Sequence, residues 1–383
     1  MFKIFYAKSD ATLYEDATVN ETNTGLDEIL EIGKRINLSD DSLLVNSRAL
    51  VKFDSTEISQ SLATYGKTVN DCKFVLNLYT SHAKNLPTDY TIDACIAGQP
   101  WTNGSGFLSS VPEVSNGVQW AQPMSSWSLN SQTGNLWISS SQQIHVNNSF
   151  LYVSGSGLGG SFLYYSGSGT PLNLIASESF SYRTADVNVN VTTALKVWLS
   201  GSNGNAVPNN GFLLKFSDAD ELNSYVSGYV RFFSRETHTI YVPKLTMYWD
   251  DVVYSSSLSA VDLDSYTTYV KIKPEYKDNE ITKLRIYGRD RFPKKSPTNL
   301  FPIQTVKKLP ATTYYAILDA ATDEYIIPYD DIYTKVSCDN TSNYIYVDMS
   351  GFMPERYYRL QLKLTDGFTT QYIDCDTYFK IVR

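Results

Sequence analysis

The sequence predicts an all-β chain: an N-terminal β-sandwich over residues 1–252, then an immunoglobulin-like β-sandwich over residues 266–383. Three observations predict it. Aromatic residues make up 14% of the chain, 29 of them tyrosines, and aromatics favour strands. Short apolar segments alternate in-out with period two along most of the chain. The length of 383 residues exceeds the ~250–300 at which a single core stops growing, and the sequence changes character near Asp251, after which no tryptophan occurs.

Taken in order, Phe2–Ala7 alternates as a first strand, while Asp10–Gly33 is acidic and reads as loop, with a short strand in LDEILEIG. Strands follow at Leu44–Phe53, Asp71–Thr80 and Thr91–Ala97. Residues 102–180 hold the Gly/Ser clusters NGSG, SGSGLGGS and SGSGT together with tryptophans and short strands such as Ser149–Val153 and Ser161–Tyr165. A flexible linker would lack the tryptophans, so this is a packed excursion between strands. Val187, Val189 and Val191 alternate as a strand, and Thr192–Leu199 changes to helical spacing, with Leu195, Trp198 and Leu199 on one face. That face makes Trp198 a core anchor. Phe212–Phe216 resumes alternation, and two strands close the first sandwich before Asp250. Ser255–Ser265 reads as the boundary. The remaining 120 or so residues carry seven or eight short strands at immunoglobulin-like spacing, with Asp366-Gly367 marking a hairpin turn.

Charge and motifs narrow the function. The net charge is −8, carried mostly by the first 250 residues. An acidic chain has no general electrostatic attraction to nucleic acid or to an anionic membrane, and neither is expected as a partner. No apolar run reaches the ~18 residues of a membrane span, and MFKIFYAKSDATLYED lacks the features of a secretory signal. Cys72, Cys95, Cys338 and Cys375 form no zinc spacing. Cys72 and Cys95 flank a turn around Ser81–Pro87, where a disulfide competes with free buried thiols. Gly155, Gly157 and Gly160 match GxGxxG, but a strand follows where a dinucleotide site needs a helix. His82, His145 and His238 sit apart, and no hydrolase, zinc-protease or phosphate-loop pattern occurs. The chain reads as non-enzymatic, with no catalytic residue and no cofactor.

Three groups remain as candidate sites. Trp101, Trp120, Trp127 and Trp137 supply either an aromatic platform for glycan or a core or subunit interface. Asp218, Asp220 and Glu221 cluster as loop oxygens that suit Ca²⁺ or a solvated turn. Lys283–Lys295 is strongly basic, and Arg285, Arg289, Arg291, Lys294 and Lys295 read as a protruding interface loop whose complement is an acidic neighbour, such as the Glu15–Glu31 segment of another copy.

Several segments carry a resemblance. SDATLYEDATVNETNTGLDEILEIG, SRALVKFD, VLNLY, VNVTTALKVWLSG with NNGFLLKFS, YVRFFSRE and VPKLTMYW resemble, in order, the strands of the DNRLRE-type β-sandwich, a jelly-roll family related in shape to carbohydrate-binding modules. The long 102–180 region departs from that pattern. Leu309–Arg383, with LPATTYYAILDAATDEYIIPYDDIYTKVSCD and MSGFMPERYYRLQLKL, resembles a C-terminal module of virion structural proteins of large tailed bacteriophages. The resemblance implies a multi-copy structural component of a phage neck, collar or tail, made in the host cytoplasm and assembled with other virion proteins. A glycan-binding adhesin using the aromatic loops after Trp101 is the alternative.

Overall fold

The computed structural model describes residues 1–36, 44–124, 126–128, 131–133, 137, 142–146, 149–154, 159–165, 174–181, 186–199, 207–295, 297–298, 300–301, 305–365 and 369–383. The chain is nearly all β and divides into two compact units, Phe2–Tyr248 and Trp249–Arg383, the latter including Met1.

The first unit contains strands β1 (Phe2–Tyr6), β2 (Ser9–Tyr14), β3 (Ile29–Ile36), β4 (Leu44–Lys52), β5 (Cys72–Leu78), β6 (Thr80–Lys84), β7 (Asp89–Ala97), β8 (Ser126–Ser128), β9 (Ser131–Thr133), β10 (Gln142–Val146), β11 (Ser149–Ser154), β12 (Phe162–Tyr165), β13 (Ala176–Ser181), β14 (Val187–Asn190), β15 (Phe212–Phe216), β16 (Gly228–Phe233) and β17 (Lys244–Trp249). Four of them form a sheet in the order β1-β17-β5-β14. A larger sheet runs β10-β11-β12-β7-β15-β4-β3-β16-β6, with β13 beside β7 and β2 beside β4, and β8 pairs with β9 as a separate two-stranded ribbon. All these pairings are antiparallel, so one face of each strand is free to pack on the core.

Among the described residues, three short α-helices lie between strands of the first unit. Helix α1 (Ser55–Thr64) starts at Asp54, whose side chain accepts from Thr56 N, and it buries Ile58 and Leu62. Helix α2 (Thr192–Leu199) buries Ala194, Leu195 and Trp198, the face its spacing predicts. The Trp198 ring packs on Phe212 of β15 at 4.9 Å between centroids. Helix α3 (Asp218–Leu222) is one short turn capped by Ser217.

Two details differ from the sequence expectation. Asp10–Gly33 is not only loop: β2 pairs with β4 along its whole length, and Asp10 and Thr12 are buried there. Their polar character hides the strand, because each side chain is satisfied inside the protein. Cys72 and Cys95 do not face each other across a hairpin. They lie on β5 and β7, in different sheets, and all four cysteines are free thiols.

The second unit contains β18 (Tyr266–Lys271), β19 (Glu275–Lys277), β20 (Ile281–Asp290), β21 (Thr313–Asp319), β22 (Tyr325–Ile327), β23 (Ser337–Cys338), β24 (Asn343–Asp348), β25 (Tyr357–Thr365) and β26 (Thr370–Val382). Its sheets run β18-β20-β24-β23 and β19-β26-β25-β21-β22. In chain order these are the A-B-E-D and G-F-C arrangement of an immunoglobulin-type sandwich, with β19 added parallel to β26. Leu284, Ile286, Ile317, Ile345, Leu360, Leu362 and Phe379 fill the space between the sheets. Val261 and Leu263 pack into this core too, so the predicted boundary segment belongs to the second sandwich. Asp366 and Gly367 lie outside the described residues; β25 and β26 pair as a hairpin around them, but Thr365 opposes Thr370, whereas a two-residue turn at Asp366-Gly367 would pair Thr365 with residue 368.

Candidate functional site

The four tryptophans are the first group to place. Trp101, Trp120 and Trp137 are buried together with Ala11, Leu13, Leu50, Cys95, Val118 and Leu213. Each ring is held in place. Trp101 Nε1 donates to Asn210 O at 2.7 Å, and Trp137 Nε1 donates to Gln119 O at 3.1 Å. The Arg48 guanidinium lies 5.3 Å from the Trp120 ring. Gly159 passes so close that a Cβ there would sit 2.6 Å from the Trp120 ring, and its φ of +71° is open to glycine at little cost. These three tryptophans are therefore core and not a sugar-stacking platform. The excursion that carries them folds back over β2, β4 and β15 and needs its own apolar filling. Trp127 lies in β8, and its side chain is outside the described residues. Gly155 and Gly157 of the GxGxxG match are also outside them.

The excursion is pinned by Asn23. This fully buried side chain donates through Nδ2 to Asn103 O and Val118 O, at 2.8 and 3.0 Å, and accepts through Oδ1 from Gly106 N and Gly25 N, at 2.8 and 3.2 Å. All its donor and acceptor groups are used. Nearby, Asp10 accepts from Arg235 N at 2.5 Å while its own N–H donates to Asn103 Oδ1. Burial pushes the Asp10 carboxyl up to about 7. Asp27, which accepts from Leu108 N at the mouth of a cleft, is pushed up to about 6 by the same cause.

The carboxylates considered for calcium have protein partners instead. Glu221 is gripped by Arg48 and lies 3.7 Å from the Lys215 ammonium. Asp218 is exposed and pairs with Lys215, whereas Asp220 accepts from Thr91 N and Ser217 Oγ. Lys215 is buried, so these carboxylates neutralise a cation that the core would otherwise leave unpaired. Among the described residues no three His, Cys, Asp or Glu side chains are placed to hold a metal.

No protein-family model matches this chain, and no curated protein matches it. Among solved structures, a C-terminally truncated trimeric ectodomain of the C. elegans fusion protein EFF-1 aligns at 7% identity, over 100% of this chain and 84% of that one. Its TM-score of 0.16 is too low to carry any conclusion about fold or function.

The basic segment is split by the fold. Arg285 lies within β20, and it and Lys283 both pair with Asp339. Arg289 is also in β20. Only Arg291, Lys294 and Lys295 stand exposed in the connection beyond it. Sequence reasoning missed what accompanies them: Phe292, Leu300 and Phe301 in the same connection are 78%, 65% and 70% exposed. The proposed acidic complement is largely consumed within its own unit. Glu31 is buried between Arg35 and Arg231, and Glu15 accepts from Asn46.

A second exposed aromatic group lies on the β21–β22–β25–β26 sheet. Tyr329 sits 6.0 Å from Tyr325 and 5.8 Å from Tyr372, and Gln361 Oε1 accepts from the hydroxyls of Tyr325 and Tyr329. Period-two alternation in β26 places Tyr372 outward and so signals half of this row. The Tyr325–Tyr329 half depends on a strand pairing that sequence does not give. No helix among the described residues is long and apolar enough to cross a membrane.

Proposed function

We propose that this chain is a non-enzymatic structural component of a tailed-bacteriophage particle, at the neck, collar or tail, and that it works by assembling with other particle proteins. The observation that carries this is the connection after β20, which leaves Phe292, Leu300 and Phe301 exposed and also carries the exposed Arg291, Lys294 and Lys295. Burying one such apolar side chain contributes ~1.5–3 kcal/mol, so three of them with a basic rim make an economical contact surface. The tyrosine row adds area with little side-chain entropy to lose. The resemblance of Leu309–Arg383 to a virion module supplies the biological setting. The glycan reading has lost its support at Trp101, Trp120 and Trp137, whose faces are covered.

The test follows the tagged chain through density-gradient purification of phage particles from a producing culture. The wild-type chain is expected to migrate with particles. A variant carrying Phe292→Ser, Phe301→Ser and charge reversal at Arg291 and Lys294 is expected to stay in the free fraction. A wild-type chain found only in the free fraction overturns the proposal, and full incorporation of the folded variant removes the loop from it.

A further inference from the structure

The second sandwich has an open seam. Strand β18 ends its sheet, and no strand among the described residues borders its outer edge. In the facing sheet, β19 covers β26 only at Lys380–Val382, leaving Thr370–Asp374 without a strand on that side among the described residues. Between these two edges lies a cavity of about 500 Å³, lined by Asp264, Thr267, Thr268, Arg291, Gln371 and Asp374, among others.

The register tells which backbone groups face the seam. Gly288 of β20 opposes Thr268, and Gly288 O accepts from Lys307 N at 2.8 Å on the side away from β18. Paired residues in an antiparallel ladder point their amides the same way, either toward each other or apart. Thr268 N–H and C=O therefore point outward, and by alternation so do those of Tyr266 and Val270. Arg291 N donating to Ser265 O fits the same phase, since Ser265 is one step out of it. The side chains fit too: Tyr266 and Val270 are buried inward, so the edge offers three backbone donors and acceptors above a polar floor. Arg291 contributes a guanidinium with no hydrogen-bond or ion partner among the described residues.

We infer that this seam accepts an extended strand from a neighbouring protein, paired through the backbone to Tyr266–Val270 and placing an acidic side chain against Arg291. Backbone pairing supplies affinity, and the arginine selects a carboxylate at one position. Asp374 is already bonded to Arg359, so it does not compete for Arg291. The inference deepens the assembly reading and rests on it for its biological setting, but it is tested separately. Open edges invite uncontrolled pairing, and a polar floor with one charged selector limits what fits.

The probe is a capped octapeptide of alternating threonine and valine with one central glutamate, compared with the same peptide carrying glutamine. Hydrogen exchange and titration are measured on the full chain. The glutamate peptide is expected to slow exchange at Tyr266, Thr268 and Val270 at least tenfold, and to bind about fivefold more tightly than the glutamine peptide. Arg291→Ala should erase that fivefold difference. Thr268→Pro removes an outward N–H and no ladder bond, and should abolish binding while leaving the melting temperature nearly unchanged. The inference is overturned if neither peptide alters exchange at these amides. It is also overturned if Arg291→Ala keeps the preference, or if the amides are already protected in the concentrated chain alone, which assigns the seam to a second copy. Incorporation into particles is read in the gradient and stands or falls independently.

Discussion

Arg48 holds Glu221 through both carboxylate oxygens, Nε to Oε1 at 2.9 Å and Nη2 to Oε2 at 2.7 Å, across 173 positions of sequence. The same guanidinium donates to Gly159 O at 2.8 Å and lies against Trp120. One side chain thus ties β4, α3 and the end of the excursion together. Both partners are mostly buried, at 14% and 7% side-chain exposure. Glu221→Gln is expected to cost ~3–5 kcal/mol, because it leaves a buried cation underpaired. The paired change Arg48→Met with Glu221→Leu should cost clearly less than the single substitution. Urea unfolding of the three proteins checks this, and equal losses for single and double variants would count against it.

Trp198→Ala should destabilise the first unit by ~3–5 kcal/mol, the usual range for a large buried aromatic. Among the described residues Trp198 Nε1 is buried without a hydrogen-bond partner, so part of the tryptophan is already costly. Trp198→Phe is therefore expected to recover well over half of the loss. Thermal melts that leave Trp198→Ala unchanged would contradict the packing of α2 on Phe212.

Asp10 makes stability depend on pH in a defined direction. Its folded pKa is raised to about 7 from 3.8, so the folded form keeps a proton that the unfolded chain releases. The contribution is full below about pH 4 and is lost as pH rises through 7. At ~1.4 kcal/mol per unit, the wild type should lose on the order of 4 kcal/mol relative to Asp10→Asn across that window. Urea midpoints of the two proteins at pH 4.5 and 7.5 measure the difference. A constant gap would mean that Asp10 does not titrate there.

Asn23→Asp keeps the size of the side chain but replaces two donors with an acceptor facing Asn103 O and Val118 O. Loss of both bonds in a buried site should cost ~2–4 kcal/mol. The damage should be local, so limited proteolysis is expected to cut first between residues 103 and 118. Cleavage there at the wild-type rate would show that other contacts hold the excursion.

The fold was legible wherever alternation was undisturbed. Val187–Asn190, Phe212–Phe216 and Leu44–Lys52 are strands, and Leu195 with Trp198 marks a buried helix face. Alternation failed at Asp10–Tyr14, where buried polar side chains are paired to distant partners that sequence cannot show. The tryptophans illustrate a different limit. Composition announces a cluster of rings, but whether they face solvent or core depends on how the excursion folds back. The basic segment was half legible: the charges were visible, yet β20 removes Arg285 to an ion pair and leaves Arg291 at the seam. That seam itself has no sequence signature, because edge and central strands share one alternation pattern.

Strand β17 lies between β1 and β5, with Phe2 opposite Tyr248. Strand β1 thus finds its partner only after about 240 further residues have been made. At ~5–20 residues per second, this is a wait of roughly 12–50 s. Until then β1 and β5 both lack the strand that joins them, and their apolar faces stay available for wrong pairings. Such long-range closure slows folding. The late arrival of β17 makes a chaperone-bound nascent chain, truncated before Lys244, the natural place to look for misfolding of this protein.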